Sequence, residues 1–127
     1  MNTAVILIAH GSREAPANAD TDWAAAALRS RGPFSVVQPA FLELAAPDID
    51  AAAEACIQHG VTQIVLLPYF LSAGVHVLRD LSAARNRLAE RYPAIRFVLA
   101  EPLGRHDRLV DVLAERASAA ISNESHR

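Results

Sequence analysis

Lysine is absent from this 127-residue chain, and all twelve cationic side chains are arginine. That removes Schiff-base and Walker-type lysine chemistry from consideration. Cysteine occurs once, at Cys56, so no internal disulfide, CxxC zinc site or four-cysteine cluster can form within one chain. Cys56 lies inside the helical pattern Ala51–His59 and is expected to be a buried, inert thiol. No basic block is present and the formal net charge is −2, which argues against a nucleic-acid partner. The apolar run Ala4–Ala9 is far shorter than the ~20 residues needed to cross a bilayer, and no charged n-region precedes it. A cytoplasmic protein without a membrane partner is expected. Neither a G-x-G-x-x-G fingerprint after the first strand nor a G-x-S-x-G elbow occurs, which disfavours a nucleotide-binding module or a hydrolase.

What is present reads as one globular domain over residues 1–127. Hydrophobic residues make up 52% and charged residues 20%, a balance that excludes a disordered chain. Ala4–Ala9 is continuously apolar, as in a parallel strand covered on both faces. An Ala-rich helix follows from Pro16 to Arg31, with Gly32-Pro33 as its stop. Phe34–Phe41 is a second strand, and Pro39 places it at a sheet edge or ends it there. Pro47-Asp48-Ile49-Asp50 opens a second helix with acids where the helix dipole favours them, and Gly60 closes it. Thr62–Leu67 is the third strand. The third helix runs from about Val75 to Arg91, with Val77, Leu78, Leu81, Ala84 and Leu88 on one face. Ile95–Ala100 is the fourth strand. A last helix reaches about Ser122, with Leu109, Val110, Leu113, Ala117, Ala120 and Ile121 expected to face inward. Strands alternating with helices at this spacing predict an α/β three-layer sandwich: a four-stranded parallel sheet with helices on both faces, in the order 2-1-3-4.

In such a sheet the ligand crevice lies beyond the carboxyl ends of the strands, where the strand order reverses. Here that is between strands 1 and 3. His10 is the first residue beyond strand 1. His76 lies beyond strand 3, after the apolar stretch Leu67–Asp80 (LPYFLSAGVHVLRD). Glu43 follows strand 2. Two imidazoles and a carboxylate therefore converge on one sheet edge from three loops, a donor set suited to a borderline divalent metal. A helix N-terminus disfavours imidazolium, which helps keep His76 able to ligate. Plainer roles compete: a hydrogen-bonded loop histidine for His10 or His76, and a helix-capping or surface carboxylate for Glu43. His59, beside Gly60, reads as a partner of a helix C-terminus, His106 as structural near the start of helix 4, and His126 as part of a polar tail.

Four segments in this order resemble the small class II metallochelatases, the sirohydrochlorin chelatase family. They are ILIAHGSR (Ile6–Arg13), AFLE (Ala40–Glu43), LPYFLSAGVHVLRD (Leu67–Asp80) and PLGRH (Pro102–His106), spaced correctly over nearly the whole chain. The resemblance implies a chelatase-like fold and insertion of a divalent metal, Co²⁺, Ni²⁺ or Fe²⁺, into a tetrapyrrole such as sirohydrochlorin. The metal is then a substrate, and no organic cofactor is implied. In the family the histidines of H-G-S-R and G-x-H bind metal, which here are His10 and His76. Glu43 is either a third ligand or a base. The substrate's many carboxylates need local cations, for which Arg13, with Ser12 and the first amides of helix 1, is best placed. Arg79 and Arg105 are weaker candidates. Tyr69, Phe70, Leu71, Gly74, Val75 and Val77 either line the face of the macrocycle or meet a second subunit. Larger members carry two such halves in one chain and the smallest work as homodimers, so a homodimer is expected at this length. The chain lacks the His-rich tail and Cys cluster of some longer relatives, and Ser82 stands where many have proline. A non-catalytic metal or tetrapyrrole carrier is the alternative.

Overall fold

Eight elements alternate along the chain in a computed structural model, which describes residues 2–125. His126 lies outside the described residues. The strands are β1 (Thr3–Ala9), β2 (Val36–Phe41), β3 (Gln63–Pro68) and β4 (Arg96–Leu99). The helices are α1 (Ala15–Arg31), α2 (Ile49–Ile57), α3 (Val75–Arg91) and α4 (Asp107–Ser125). All strand pairs are parallel and the order is β2-β1-β3-β4, as the alternation of apolar runs and helical patterns predicts. β2 is an edge strand, which tolerates Pro39 opposite Leu7 because one side of the strand has no ladder to feed.

The alternation of side chains in each strand separates two faces. On one face Ala4, Ile6, Ile8, Ile64, Leu66 and Phe97 join Ile49, Ala52, Ala53 and Cys56 of α2 and Leu81, Ala84 and Leu88 of α3 in the main core. Each large aliphatic side chain buried there stabilises the fold by about 1.5–3 kcal/mol. On the other face α1 packs over β2 and β1, burying Val5, Leu7 and its own Thr21 and Ala25. Among the described residues, no helix is long and apolar enough to cross a membrane.

Two helices end as their sequences direct. Gly32 follows α1, its amide donating to Leu28 O at 3.0 Å, and Gly60 turns the chain after α2 with a φ of +71°. Gln58 and His59, expected as the end of the helix, form that turn together with Gly60. α3 buries Leu81, Ala84 and Leu88 as expected, whereas Val77 is half-buried and Leu78 is exposed at a rim. The expectation that fails outright is the inward face of α4. Val110, Leu113, Ala117, Ala120 and Ile121 are all exposed, and only Leu109 is partly covered. The periodicity is present, but α4 is not laid along this chain's own sheet.

Cys56 is completely buried, and burial pushes its thiol up to about 11. The neutral thiol is the form that folding favours. Cys56 is therefore expected to resist maleimide or disulfide reagents in the native protein at pH 8 and to react fully once unfolded. Rapid native labelling would contradict the burial.

Candidate functional site

The exits of β1 and β2 are tied together beyond the strands themselves. Leu42 N–H donates to Ala9 O and Glu43 N–H donates to His10 O, each at 3.0 Å. This extension brings His10 and Glu43 side by side, and it depends on Gly11. Gly11 has a φ of +96°, and a Cβ there would lie 1.8 Å from Glu43 O. Only glycine lets the first loop pass this close to the second. Beyond Glu43, Leu44 holds a left-handed φ of 66° in the turn leading to α2, a conformation that the sequence did not signal.

β3 supplies the third wall. Tyr69 N–H donates to Ile8 O at 2.6 Å, continuing the β1–β3 ladder past its last residue. Phe70 packs on the core and its ring stacks on the His10 imidazole, with centroids 4.5 Å apart. The imidazole is thus oriented by an aromatic face and left exposed on its other side. The loop is braced in turn by the chain after β4: Leu103 N–H donates to Phe70 O at 3.1 Å and Gly104 N–H to Leu71 O at 2.6 Å.

A cleft of about 520 Å³ opens beside these groups, lined by His10, Glu43, Asp48, Asp50, Val77 and Asp80 among others. Asp48 caps α2, its Oδ1 accepting from Ala51 N–H at 2.9 Å. Asp50 pairs with Arg87 at 3.0 Å, a largely exposed pair that contributes well under 1 kcal/mol. A second, more apolar cleft of about 450 Å³ lies on the other side of the α3 N-terminus, lined by Leu71, Ala73, Leu78, Leu99 and Pro102. Val77 faces the first cleft and Leu78 the second. His76, the second residue of α3, is exposed and is not among the residues lining either of these two clefts, although Asp80, one turn further along its helix face, lines the first. Among the described residues no group of three or more His, Cys, Asp or Glu side chains is set to hold a metal ion. His10 and Glu43 share a cleft, and His76 shares their edge of the sheet but not that cleft.

The remaining candidates divide by what they bond to. Arg13 is exposed next to the first loop. Ser12 is largely committed to shaping that loop: its amide donates to Asn18 Oδ1 at 3.0 Å and its Oγ accepts from Glu14 N–H at 3.0 Å. Asn18 Nδ2 completes the clamp on Ser12 O at 2.7 Å. The Ser12 hydroxyl hydrogen and one further lone pair on its Oγ are left for a ligand. Tyr69 is half-buried, Leu71 is 63% exposed, and Gly74 is exposed as the N-cap residue of α3. His106 Nδ1 accepts from Arg108 N–H at 3.1 Å at the start of α4, which is the structural role expected of it.

Two contributors escaped the sequence reading. Asn18 sits one turn into α1, and nothing in its local pattern marks it as a loop clamp. Asp80 was legible: it lies four residues after His76 on α3, a spacing that sets both on neighbouring turns of one helix face.

An open parallel sheet that gathers imidazoles and carboxylates at its strand reversal is the layout of an α/β protein that works on a ligand at the carboxyl edge. The CbiX family model matches residues 4–120, and the chain belongs to that family. It is 30% identical over 119 residues to the chloroplastic sirohydrochlorin ferrochelatase of Arabidopsis thaliana, covering 94% of this chain and 53% of that one. It is 37% identical over 91 residues to the sirohydrochlorin cobaltochelatase of Sulfolobus acidocaldarius, covering 72% of each. The sirohydrochlorin chelatase SirB from Bacillus subtilis subspecies spizizenii, solved in complex with cobalt, superposes with a TM-score of 0.86 at 29% identity, over 94% of this chain and 51% of that one. The chain spans about half the length of several of the curated relatives it matches.

Proposed function

We propose that this chain is a single chelatase-like unit that inserts a divalent metal into sirohydrochlorin, with Co²⁺ as the first metal to test and Ni²⁺ and Fe²⁺ as alternatives. The observation that carries the reading is the backbone lock between His10 and Glu43 in a family whose relatives are named as sirohydrochlorin chelatases. Metallation exchanges two pyrrole N–H protons for one metal ion. The site therefore needs donors that hold the ion loosely and groups that take up protons. His10 and His76 are assigned both tasks, since a neutral imidazole can serve as a metal ligand or as a proton acceptor. Two imidazoles leave the other coordination positions for the macrocycle's nitrogens. Glu43 stands beside His10 as a further ligand or as a base.

The macrocycle is assigned to the edge between the two clefts. The apolar rim of Leu71, Val75 and Leu78, with Tyr69 and Phe70 behind it, offers a wall for a flat ring, and Arg13 with the Ser12 hydroxyl meets peripheral carboxylates. Gly74 fits this reading. Its φ is an ordinary −69° and an added Cβ would meet nothing within 4 Å, so the fold does not demand glycine there. Gly74→Ala is expected to cost at most about 1 kcal/mol of stability, the difference between Gly and Ala at an N-cap. It should nevertheless raise KM for the tetrapyrrole, because the methyl group intrudes where the ring approaches. An unchanged KM would remove Gly74 from the site. A cytoplasmic homodimer completes the reading.

The deciding experiment follows the sirohydrochlorin absorbance spectrum with Co²⁺, Ni²⁺ or Fe²⁺, with and without protein. Acceleration by catalytic amounts of protein is the expected result. Tight binding of metal or macrocycle without turnover would instead identify a carrier.

A further inference from the structure

The cleft of His10 and Glu43 holds one cation that the fold itself does not account for. Among the described residues lining it, Glu43, Asp48, Asp50 and Asp80 are acidic and Arg87 is the one cationic side chain. Of the fixed charges that a polycarboxylate meets there, four repel it and one attracts it. Arg87 follows His76 by three turns of α3, about 16 Å along the helix axis, and so stands on the same helix face as His76 and Asp80. That span is on the scale of a tetrapyrrole with its acid side chains extended. A ring seated at the sheet edge therefore projects a peripheral group along this face toward Arg87.

The contact with Asp50 does not use up the guanidinium. Nη2 alone donates to Asp50, to Oδ1 at 3.0 Å and to Oδ2 at 3.2 Å. The parallel two-nitrogen fork that arginine makes with a carboxylate is not formed. Nε and Nη1, which carry three of the five N–H donors, have no acceptor among the described residues. Stability does not explain the residue either. The two side chains are 55% and 41% exposed, so solvent and salt screen their attraction. What the contact does is restrain a long side chain before a ligand arrives, from the second residue of α2.

We propose that Arg87 binds a peripheral carboxylate of the tetrapyrrole through these unused donors, with Asp50 holding the guanidinium in place. Arg13 stands on the loop after β1 and Arg87 on α3. Attachments on two elements fix the rotation of the ring in its own plane, where a single one leaves it free. Arg87 thereby selects for acid-bearing macrocycles and sets which edge of the ring enters the cleft. The inference rests on the tetrapyrrole reading of this site and assigns it a residue outside the chemistry.

Fluorescence titration with metal-free sirohydrochlorin, in the absence of metal, tests it on the wild type, Arg87→Gln and Asp50→Asn. Arg87→Gln should raise Kd about tenfold, the loss of one charge-assisted contact. Asp50→Asn disrupts the same ion pair, but its amide oxygen still accepts from Nη2 and one repelling charge is gone, so it should bind at least as tightly as the wild type. Calorimetry should place both variants within about 2 °C of the wild-type Tm, since an exposed pair contributes little. Equal weakening by both substitutions would mean that the pair only shapes the cleft, and overturns the inference. A Kd for Arg87→Gln within about twofold of wild type overturns it as well. In turnover the loss should appear in KM, with kcat at saturating tetrapyrrole within about twofold of wild type, and a fall in kcat alone counts against it. Wild-type protein that binds the tetrapyrrole without metallating it would remove the chelatase reading, while the titration still decides the role of Arg87. Wild-type protein that does not bind it overturns both.

Discussion

Alanine at His10 or at His76 should lower the rate of cobalt insertion into sirohydrochlorin by about 100-fold or more, the usual contribution of a positioned acid–base group. Both side chains are exposed, so neither substitution removes a core contact. The cost at His10 is the stacking on Phe70, worth about 1 kcal/mol, and the variant should remain folded. If both imidazoles serve one metal ion, the double variant will be little worse than either single one, because groups that act as a unit do not contribute additively. Absorbance-monitored metallation of the two single variants and the double variant, at saturating tetrapyrrole, reads this directly. Near-wild-type rates in both single variants would sink the assignment of these residues. Loss at His10 alone would show that His76, which does not line the His10–Glu43 cleft, has a separate role.

Gly11→Ala should be the most damaging single methyl group in the chain. The residue sits at a φ of +96°, and its Cβ would fall 1.8 Å from the carbonyl oxygen of Glu43 and 3.0 Å from that carbonyl's carbon. Backbone atoms cannot swing aside as the end of a flexible side chain can. The two loops must separate, and the Glu43–His10 hydrogen bond at 3.0 Å goes with them. Steric strain and the displaced loops together should cost more than about 2 kcal/mol, which lowers Tm by roughly 10 °C in a domain of this size. Activity should fall further than stability explains, since His10 and Glu43 move apart. Calorimetry on the purified variant decides the first point. A Tm within 2 °C of wild type would mean that the close approach is not a constraint in solution.

The two glycines in the candidate loops thus act through opposite physics. At Gly11 the fold itself excludes a side chain. At Gly74 the fold has room for one, so any intolerance must come from a ligand. Sequence alone ranks them equally, because a glycine in a loop carries no record of whether backbone, substrate or nothing stands beside its Cα.

Much of the architecture was legible for a simple reason. The strands buried on both faces must be continuously apolar, and Ala4–Ala9 is buried almost throughout, as that rule demands. Pro39 could sit only where one side of a strand needs no ladder, and β2 is an edge. With strand order settled, the switch point follows, and it carries His10 and Glu43 to one cleft. α4 shows where the same logic stops. Its periodicity correctly reports an amphipathic helix, but periodicity says only that one face avoids water and not which molecule shields it. The sequence predicted that face to be inward, and the structure leaves it in solvent.

By itself the sequence determined the element order, the parallel sheet, the edge strand, the inert thiol and the sheet edge at which His10, Glu43 and His76 gather, because each of these follows from local composition and chain connectivity. Only the tertiary structure decided that His10 is seated against Phe70, that Ser12 is clamped by Asn18, that His76 does not line the cleft of His10 and Glu43, and that α4 leaves its own sheet half-covered. Those outcomes depend on contacts between residues far apart in the chain and on the direction in which each loop exits, and no local pattern encodes either.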